Sequence, residues 1–195
     1  MDEGQSEAVV ERARQGDSEA LAELYRLYGR RVFGLSRHLL GSTAAAEDAR
    51  SEVFLRVQRT IDTYDASHPF SRWLLSVTSH YCVDVLRRRQ VETRLFVAEE
   101  DAPAGGVPAS EVAGMSPSPL GQVLLDERRD EVREVIAGLP EQCRVPLVLR
   151  YYGEMSYEEI AAELGLRRNH VATLIFRAKQ ALRRTLASSR KGSRR

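Results

Sequence analysis

The sequence predicts an all-α chain: two small helical domains joined by a flexible acidic Pro/Gly-rich linker, the second containing a helix-turn-helix. Three observations carry that prediction. Apolar residues recur at helical spacing on both sides of residues 97–119, whereas that stretch itself loses the pattern and fills with proline, glycine and acid. No segment alternates apolar and polar residues long enough to suggest a sheet. With 195 residues and 43% hydrophobic side chains, the chain has enough apolar material for compact cores.

In the first domain, residues 1–96, Leu21, Leu24, Tyr25, Tyr28, Val32, Leu35 and Leu39 make one stripe of a core-facing helix, and Gly41 marks its end. Ser42 and Thr43 are N-cap candidates for a second helix that turns Val53, Phe54, Val57 and Ile61 inward. A turn around Asp65 to Pro69 precedes a third long helix from about Ser71, with Leu74, Val77, Tyr81 and Val85 on its buried side. The linker, 97–119, holds Pro103, Gly105, Gly106, Pro108, Gly114, Pro117 and Pro119 beside Glu99, Glu100, Asp101 and Glu111, with no basic residue. Helical spacing resumes with Val123, Leu124, Val132, Val135 and Ile136 in the second domain, 120–187, and Leu139-Pro140 places proline where a further helix can start. Residues 188–195 form a basic tail.

Ser156-Tyr157-Glu158-Glu159 matches a capping box, in which serine and the glutamate three positions on satisfy free amides at a helix start. Ile160, Ala161 and Leu164 follow at core spacing, Gly165 stands where a tight turn needs positive φ, and Leu166, Val171 and Ile175 continue the core. This is the pattern of a helix-turn-helix from Ser156 to Lys179. Its second helix presents Arg168, Asn169, His170, Thr173 and Arg177 outward, where base edges and phosphates are within reach. The net charge is only +1, but from Arg167 to Arg195 no acidic residue occurs. One-signed charge over such a length suits a phosphate-bearing partner.

Other classes are disfavoured. Cys82 and Cys143 lie far apart with no C-x-x-C pair or clustered histidines, so they read as buried thiols in a reducing cytoplasm rather than zinc ligands. Asp48 and Glu52 lack a third ligand at supporting spacing, so no metal and no cofactor is expected, and no enzymatic activity. The acidic N-terminus does not resemble a signal peptide, and no apolar run approaches the roughly 20 residues needed to span a bilayer. The expectation is a DNA-binding protein of the cytoplasm without membrane contact.

Several runs together resemble a known family. Leu139-Pro140-Glu141-Gln142-Cys143-Arg144, Leu147 to Tyr151 and Met155 to Ala161 are similar to the promoter-reading second domain of bacterial RNA polymerase sigma factors of the extracytoplasmic-function (ECF) group, within the sigma-70 family. Independently, Glu47 to Val57 resembles that group's polymerase-binding helix, and Pro69 to Leu75 with Asp84 to Arg88 resembles its helix for the downstream promoter element. The resemblance covers about Ala20 to Leu186. It implies a factor that directs core RNA polymerase to specific promoters and aids promoter melting in transcription initiation.

Residue by residue, the resemblance implies that Asp48, Ser51, Glu52, Leu55, Arg56 and Arg59 bind core polymerase through its largest subunit's clamp coiled coil. Leu55 exposed among charges suits a docking surface. For the downstream, minus-ten element, the residues are Arg72, Ser76, Ser79, His80, Arg87 and Arg88. All but Arg88 fall within about a third of the helix circumference opposite Leu74, Val77 and Tyr81. Trp73, at the margin of the two faces, reads as a packing residue. For the upstream, minus-thirty-five element they are Arg167, Arg168, Asn169, His170, Thr173, Arg177 and Lys179. The partners implied are core polymerase, promoter DNA and an anti-sigma factor, with a monomer when free or anti-sigma bound.

This chain departs from the family at Ser51, where glutamine is common, and at His80, where asparagine is common. Arg167 replaces a usual serine cap, and Ala172 and Leu174 stand where lysine and arginine are frequent. Leu174 is expected to turn inward as a second core anchor. A rival reading is an operator-binding regulator whose front half senses or dimerises.

Overall fold

The computed structural model describes residues 3–96 and 132–192. The first half contains α1 (Glu3–Arg14), α2 (Ser18–Leu40), α3 (Thr43–Thr60), a 3-10 turn (Ile61–Thr63) and α4 (Phe70–Phe96). The second contains helical residues 132–137 (α5), then α6 (Glu141–Tyr151), α7 (Tyr157–Leu164) and α8 (Arg168–Gly192). No strand occurs among the described residues. The predicted linker, 97–119, and the apolar positions Val123 and Leu124 lie outside them.

Local chemistry explains the boundaries. Asp17 caps α2, its Oδ1 accepting from the amides of Glu19 (2.9 Å) and Ala20 (3.3 Å), while its Oδ2 takes a fork from Arg12 Nε (2.9 Å) and Nη2 (2.6 Å). That fork ties the end of α1 to the start of α2 and holds the Asp17 carboxyl below its ordinary range. The separate helix α1, which the periodicity does not divide from α2, buries Val9, Val10 and Ala13. Gly41 ends α2 in the left-handed conformation at φ 73°, and the Ser42 side chain caps α3. Both are the residues the sequence predicts.

Two apolar clusters hold the helices. One, confined to the first half, joins Val9, Leu24, Val32, Val53, Val57, Ile61, Phe70 and Leu74. Within it Phe70 packs edge-on to Tyr64 at 5.4 Å and lies 5.5 Å from Trp73, and Trp73 packs as expected. The other is shared: Leu35, Leu39, Leu75, Cys82, Val83 and Leu86 of the first half belong to one buried cluster with Ile136, Leu139, Cys143, Val148, Leu149, Ile160, Val171, Leu174 and Ile175 of the second. The halves therefore pack directly on one another. The sequence reading of α4, one side packed and the other open, requires correction. Leu75, Ser79, Cys82 and Leu86, spaced i, i+4, i+7, i+11, form a second buried stripe.

Both cysteines are free and buried, and burial pushes the Cys82 thiol up to about 11. Its Sγ donates to Ser36 Oγ at 3.5 Å.

Candidate nucleic-acid and partner interfaces

The helix-turn-helix forms as its residues dictate. Ser156 Oγ accepts from the Glu159 amide at 3.1 Å and Glu159 Oε2 accepts from the Ser156 amide at 2.6 Å, so the capping box is complete. Those bonds, with Arg72 nearby, hold the Glu159 carboxyl below its usual range. Gly165 turns the chain at φ 65°. Arg167 stands just before α8, where its carbonyl accepts from the amides of His170 (2.9 Å) and Val171 (3.1 Å). An arginine side chain offers those amides no acceptor, so the usual serine cap is lost here.

On α8, Val171, Leu174, Ile175 and Ala178 are buried, while Arg168, Asn169, His170, Thr173 and Arg177 are exposed. Leu174 is an inward anchor, as expected. Arg168 is paired with Glu158 of α7 and lies 5.9 Å over the Tyr157 ring, an arrangement that orients its guanidinium. The pairing lowers the Glu158 pKa. Lys179 is only half-exposed, its Nζ 4.9 Å from the Tyr151 ring centroid. The helix continues to Gly192, beyond the predicted boundary at 187.

One residue on this face escapes sequence reasoning. Phe176 is 58% exposed. Helical geometry sets it about 20° around the axis from Asn169 and about 60° from Thr173, in the middle of the polar face. A phenylalanine next to Ile175 reads as core in a periodicity count. The signal was available, because Val171, Leu174, Ile175 and Ala178 already fill the inward arc.

On α3, Asp48, Ser51 and Arg59 are exposed, Glu52 and Arg56 half-exposed, and Leu55 is 47% exposed. Arg56 is held by Glu52 at 3.7 Å and by the Tyr81 ring at 4.8 Å. The Ser51 hydroxyl donates back to the Glu47 carbonyl at 3.2 Å, which leaves no side-chain amide where glutamine is usual. An apolar side chain ringed by fixed charges is what a protein partner can grip.

The α4 face is arranged differently. Arg72, His80, Arg87 and Arg88 are exposed and Ser76 is half-buried, but Ser79 is 0% exposed and its Oγ has no hydrogen-bond partner. Ser79 therefore corrects the prediction: in this arrangement no DNA can touch it. The α6–α7 turn and α7 lie across the face. His80 Nε2 is 2.8 Å from Glu163 Oε2, Arg72 Nη2 is 3.6 Å from Glu159 Oε1, and Arg87 donates to the Glu163 carbonyl.

The Sigma-70 region 2 family matches residues 24–92, and the Sigma-70, region 4 family matches residues 129–182. The chain is 31% identical over 182 residues to the ECF RNA polymerase sigma factor SigK of Mycobacterium ulcerans, covering 90% of this chain and 89% of that one. It is 29% identical over 177 residues to the ECF RNA polymerase sigma factor SigW of Bacillus subtilis, covering 91% and 94%. The chain belongs to the ECF group of the sigma-70 family. Its fold is similar to that of the sigma factor RpoE of Bartonella quintana, solved with the anti-sigma factor NepR, at a TM-score of 0.57 and 19% identity over 85% of this chain and 96% of that one. As an ECF sigma factor it serves promoter-specific transcription initiation with RNA polymerase and is not an enzyme. Region 2 thus contains α3 and α4, and region 4 contains the helix-turn-helix. No helix among the described residues is long and apolar enough to cross a membrane.

Proposed function

We propose that this sigma factor divides its work among three helical faces. Asp48, Ser51, Glu52, Leu55, Arg56 and Arg59 on α3 dock on core polymerase in the cytoplasm. Arg168, Asn169, His170, Thr173 and Arg177, with Arg167 and Lys179 at the margins, read the upstream promoter element as duplex. Arg72, Ser76, His80, Arg87 and Arg88 on α4 hold the melted downstream element, where arginines match phosphates and a single strand can be kept from reannealing. The observation that carries this reading is the exposed face of α8, a run of polar and basic groups with a fixed arginine at one end and Phe176 at its centre. Phe176 adds an apolar contact suited to a thymine methyl group. Ala172 and Leu174 supply no charge, so phosphate affinity rests on fewer cations than the family's usual set. Tethering through polymerase supplies the rest of the affinity. The factor works as a monomer, held between uses by an anti-sigma factor.

The experiment is reconstitution with core polymerase from the same organism and mapping of transcription starts on purified genomic DNA. Defined starts are expected, with Arg168→Ala and Asn169→Ala altering upstream selectivity and Leu55→Ala weakening holoenzyme assembly. Starts no different from those of core enzyme alone would overturn the reading. Undiminished assembly of Leu55→Ala would remove the α3 assignment.

A further inference from the structure

Positive charge is spread unevenly along α8. At its first turns Arg168 is engaged with Glu158, while Ala172 and Leu174 supply no cation and Leu174 is buried. Further along, Arg177, Arg183 and Arg184 are all exposed, and from Arg167 to Arg195 the sequence holds no acidic residue to offset them. Elsewhere Arg31, Arg56 and Arg72 each face a glutamate. Arg183 and Arg184 meet no carboxylate among the described residues, and Arg184 Nη2 donates only to Gln180 Oε1, at 3.4 Å. Nor do these two arginines stand on a loose end. Ala181 and Leu182 beside them pack on the shared cluster, and α8 continues to Gly192. Helical geometry carries the outward face through to them. Asn169, Phe176 and Arg183 form one row and Arg177 and Arg184 the next, each residue about 20° around the axis from its predecessor in the row. Arg184 lies about 10 Å along the axis from Arg177 and about 16 Å from Thr173.

We propose that Arg183 and Arg184 form a phosphate clamp on the duplex beside the upstream element, recovering at the far half of α8 part of the backbone affinity that Ala172 and Leu174 cannot supply. This rests on the assignment of the α8 face to the upstream duplex. A recognition helix reads base edges with its first turns and meets the phosphate backbone with later ones, where it leaves the groove. The major groove is about 12 Å wide. Side chains displaced about 10 Å or more along α8 from those at the base edges therefore pass the groove and reach the strand that borders it. Each guanidinium keeps its charge at any physiological pH and can fork onto two phosphate oxygens. Such a contact ignores base identity, so it supplies affinity and register and leaves selectivity to Asn169, His170 and Thr173. Reading and holding are thereby carried by different turns of one helix.

The test uses the full-length chain and a fluorescein-labelled duplex of mixed sequence, with affinity read by anisotropy over a series of KCl concentrations. Arg183→Gln/Arg184→Gln is expected to bind roughly tenfold more weakly at low salt, and the slope of log affinity against log salt should shrink by about 1.8, the loss of two phosphate contacts. Arg183→Lys/Arg184→Lys is expected to keep the slope, because a point charge suffices for a phosphate. Arg26→Gln/Arg30→Gln, an equal loss of charge on the exposed face of α2, is expected to leave it unchanged. An undiminished slope in Arg183→Gln/Arg184→Gln would overturn the proposal, as would an equal drop in the α2 control. A lysine pair that lost the slope would overturn it too, since the arginines would then act through packing rather than charge. The underlying assignment fails by a different readout, the choice of transcription starts by reconstituted holoenzyme. Unaltered choice in both Arg168→Ala and Asn169→Ala would remove α8 from the upstream element, whatever the salt slopes. Arg183→Gln/Arg184→Gln should lower use of all promoters alike, and a change in which promoters are chosen would contradict a clamp blind to sequence.

Discussion

Helices α4 and α8 look alike in sequence and end differently in the molecule. Each carries an apolar stripe and, away from it, arginines with a histidine and small hydroxyl residues. On α8 the polar arc stays open, because Val171, Leu174, Ile175 and Ala178 satisfy the whole apolar demand on one side. On α4 the polar arc is flanked by two stripes. Leu74 faces the first-half cluster, while Leu75, Cys82, Val83 and Leu86 join the cluster shared with the second half. Thr78 and Ser79, with hydroxyls small enough to be enclosed, let the covering elements approach; Thr78 Oγ1 satisfies itself on the Leu74 carbonyl at 2.7 Å. A helix with apolar residues on two sides recruits two neighbours, and whatever lies between them is covered.

The comparison can be broken most forcefully from the shared core. Ile175→Ala removes a side chain 1% exposed on the inner arc of α8, and it should cost about 2–5 kcal/mol in urea unfolding. A loss confined to a transition of the second half, with α4 signals unmoved, would mean the two halves unfold independently in solution.

Acid should act next most strongly. His38 of α2 is pressed against Tyr152, and burial, with Arg133, Arg37 and Arg144 around it, lowers its pKa to about 4 from 6.5. Above pH 6.5 the ring is neutral whether packed or released. Between 6.5 and about 4 only the released ring protonates, so the packed state loses stability as pH falls, by at most about 3 kcal/mol. Arg133 and Arg144 come from the second half, so separation of the halves alone should relieve much of the shift. Scattering at pH 7 and pH 5 checks this. His38→Phe should flatten that dependence, and an unchanged pH profile in that variant would point to other groups.

The smallest effect expected is at the start of α7. Ser156→Ala deletes the cap and should cost about 1 kcal/mol. Because α7 both braces α8 and covers α4, the loss should appear in thermal melts and as slightly tighter single-strand binding. Lower stability with no gain in strand binding would separate the two duties of α7.

Much of the candidate site was legible because its signals are local. The Ser156 to Glu159 capping box, the Gly165 turn and the inward Leu174 follow from spacing within a few residues, and so does the exposed Leu55. Ser79 is misplaced by the sequence pattern and Phe176 is missed by it for one shared reason. The exposure of each depends on how fully another element, or the rest of the inward arc, has satisfied the apolar demand, which the spacing on its own helix does not show.

The sequence by itself determined the all-α class, the helix boundaries at Gly41, Ser42, Pro140 and Ser156, and the outward face of α8. Caps, turns and amphipathic periodicity are properties of residues close along the chain. Only the tertiary structure decided that the halves share a core, that Glu159 and Glu163 lie against Arg72 and His80, and that Ser79 is shut away. Those contacts join residues far apart in the chain, from 51 positions for Gln90 and Glu141 to 123 for Arg31 and Glu154. Their formation depends on which apolar surfaces meet, a choice that no local pattern encodes.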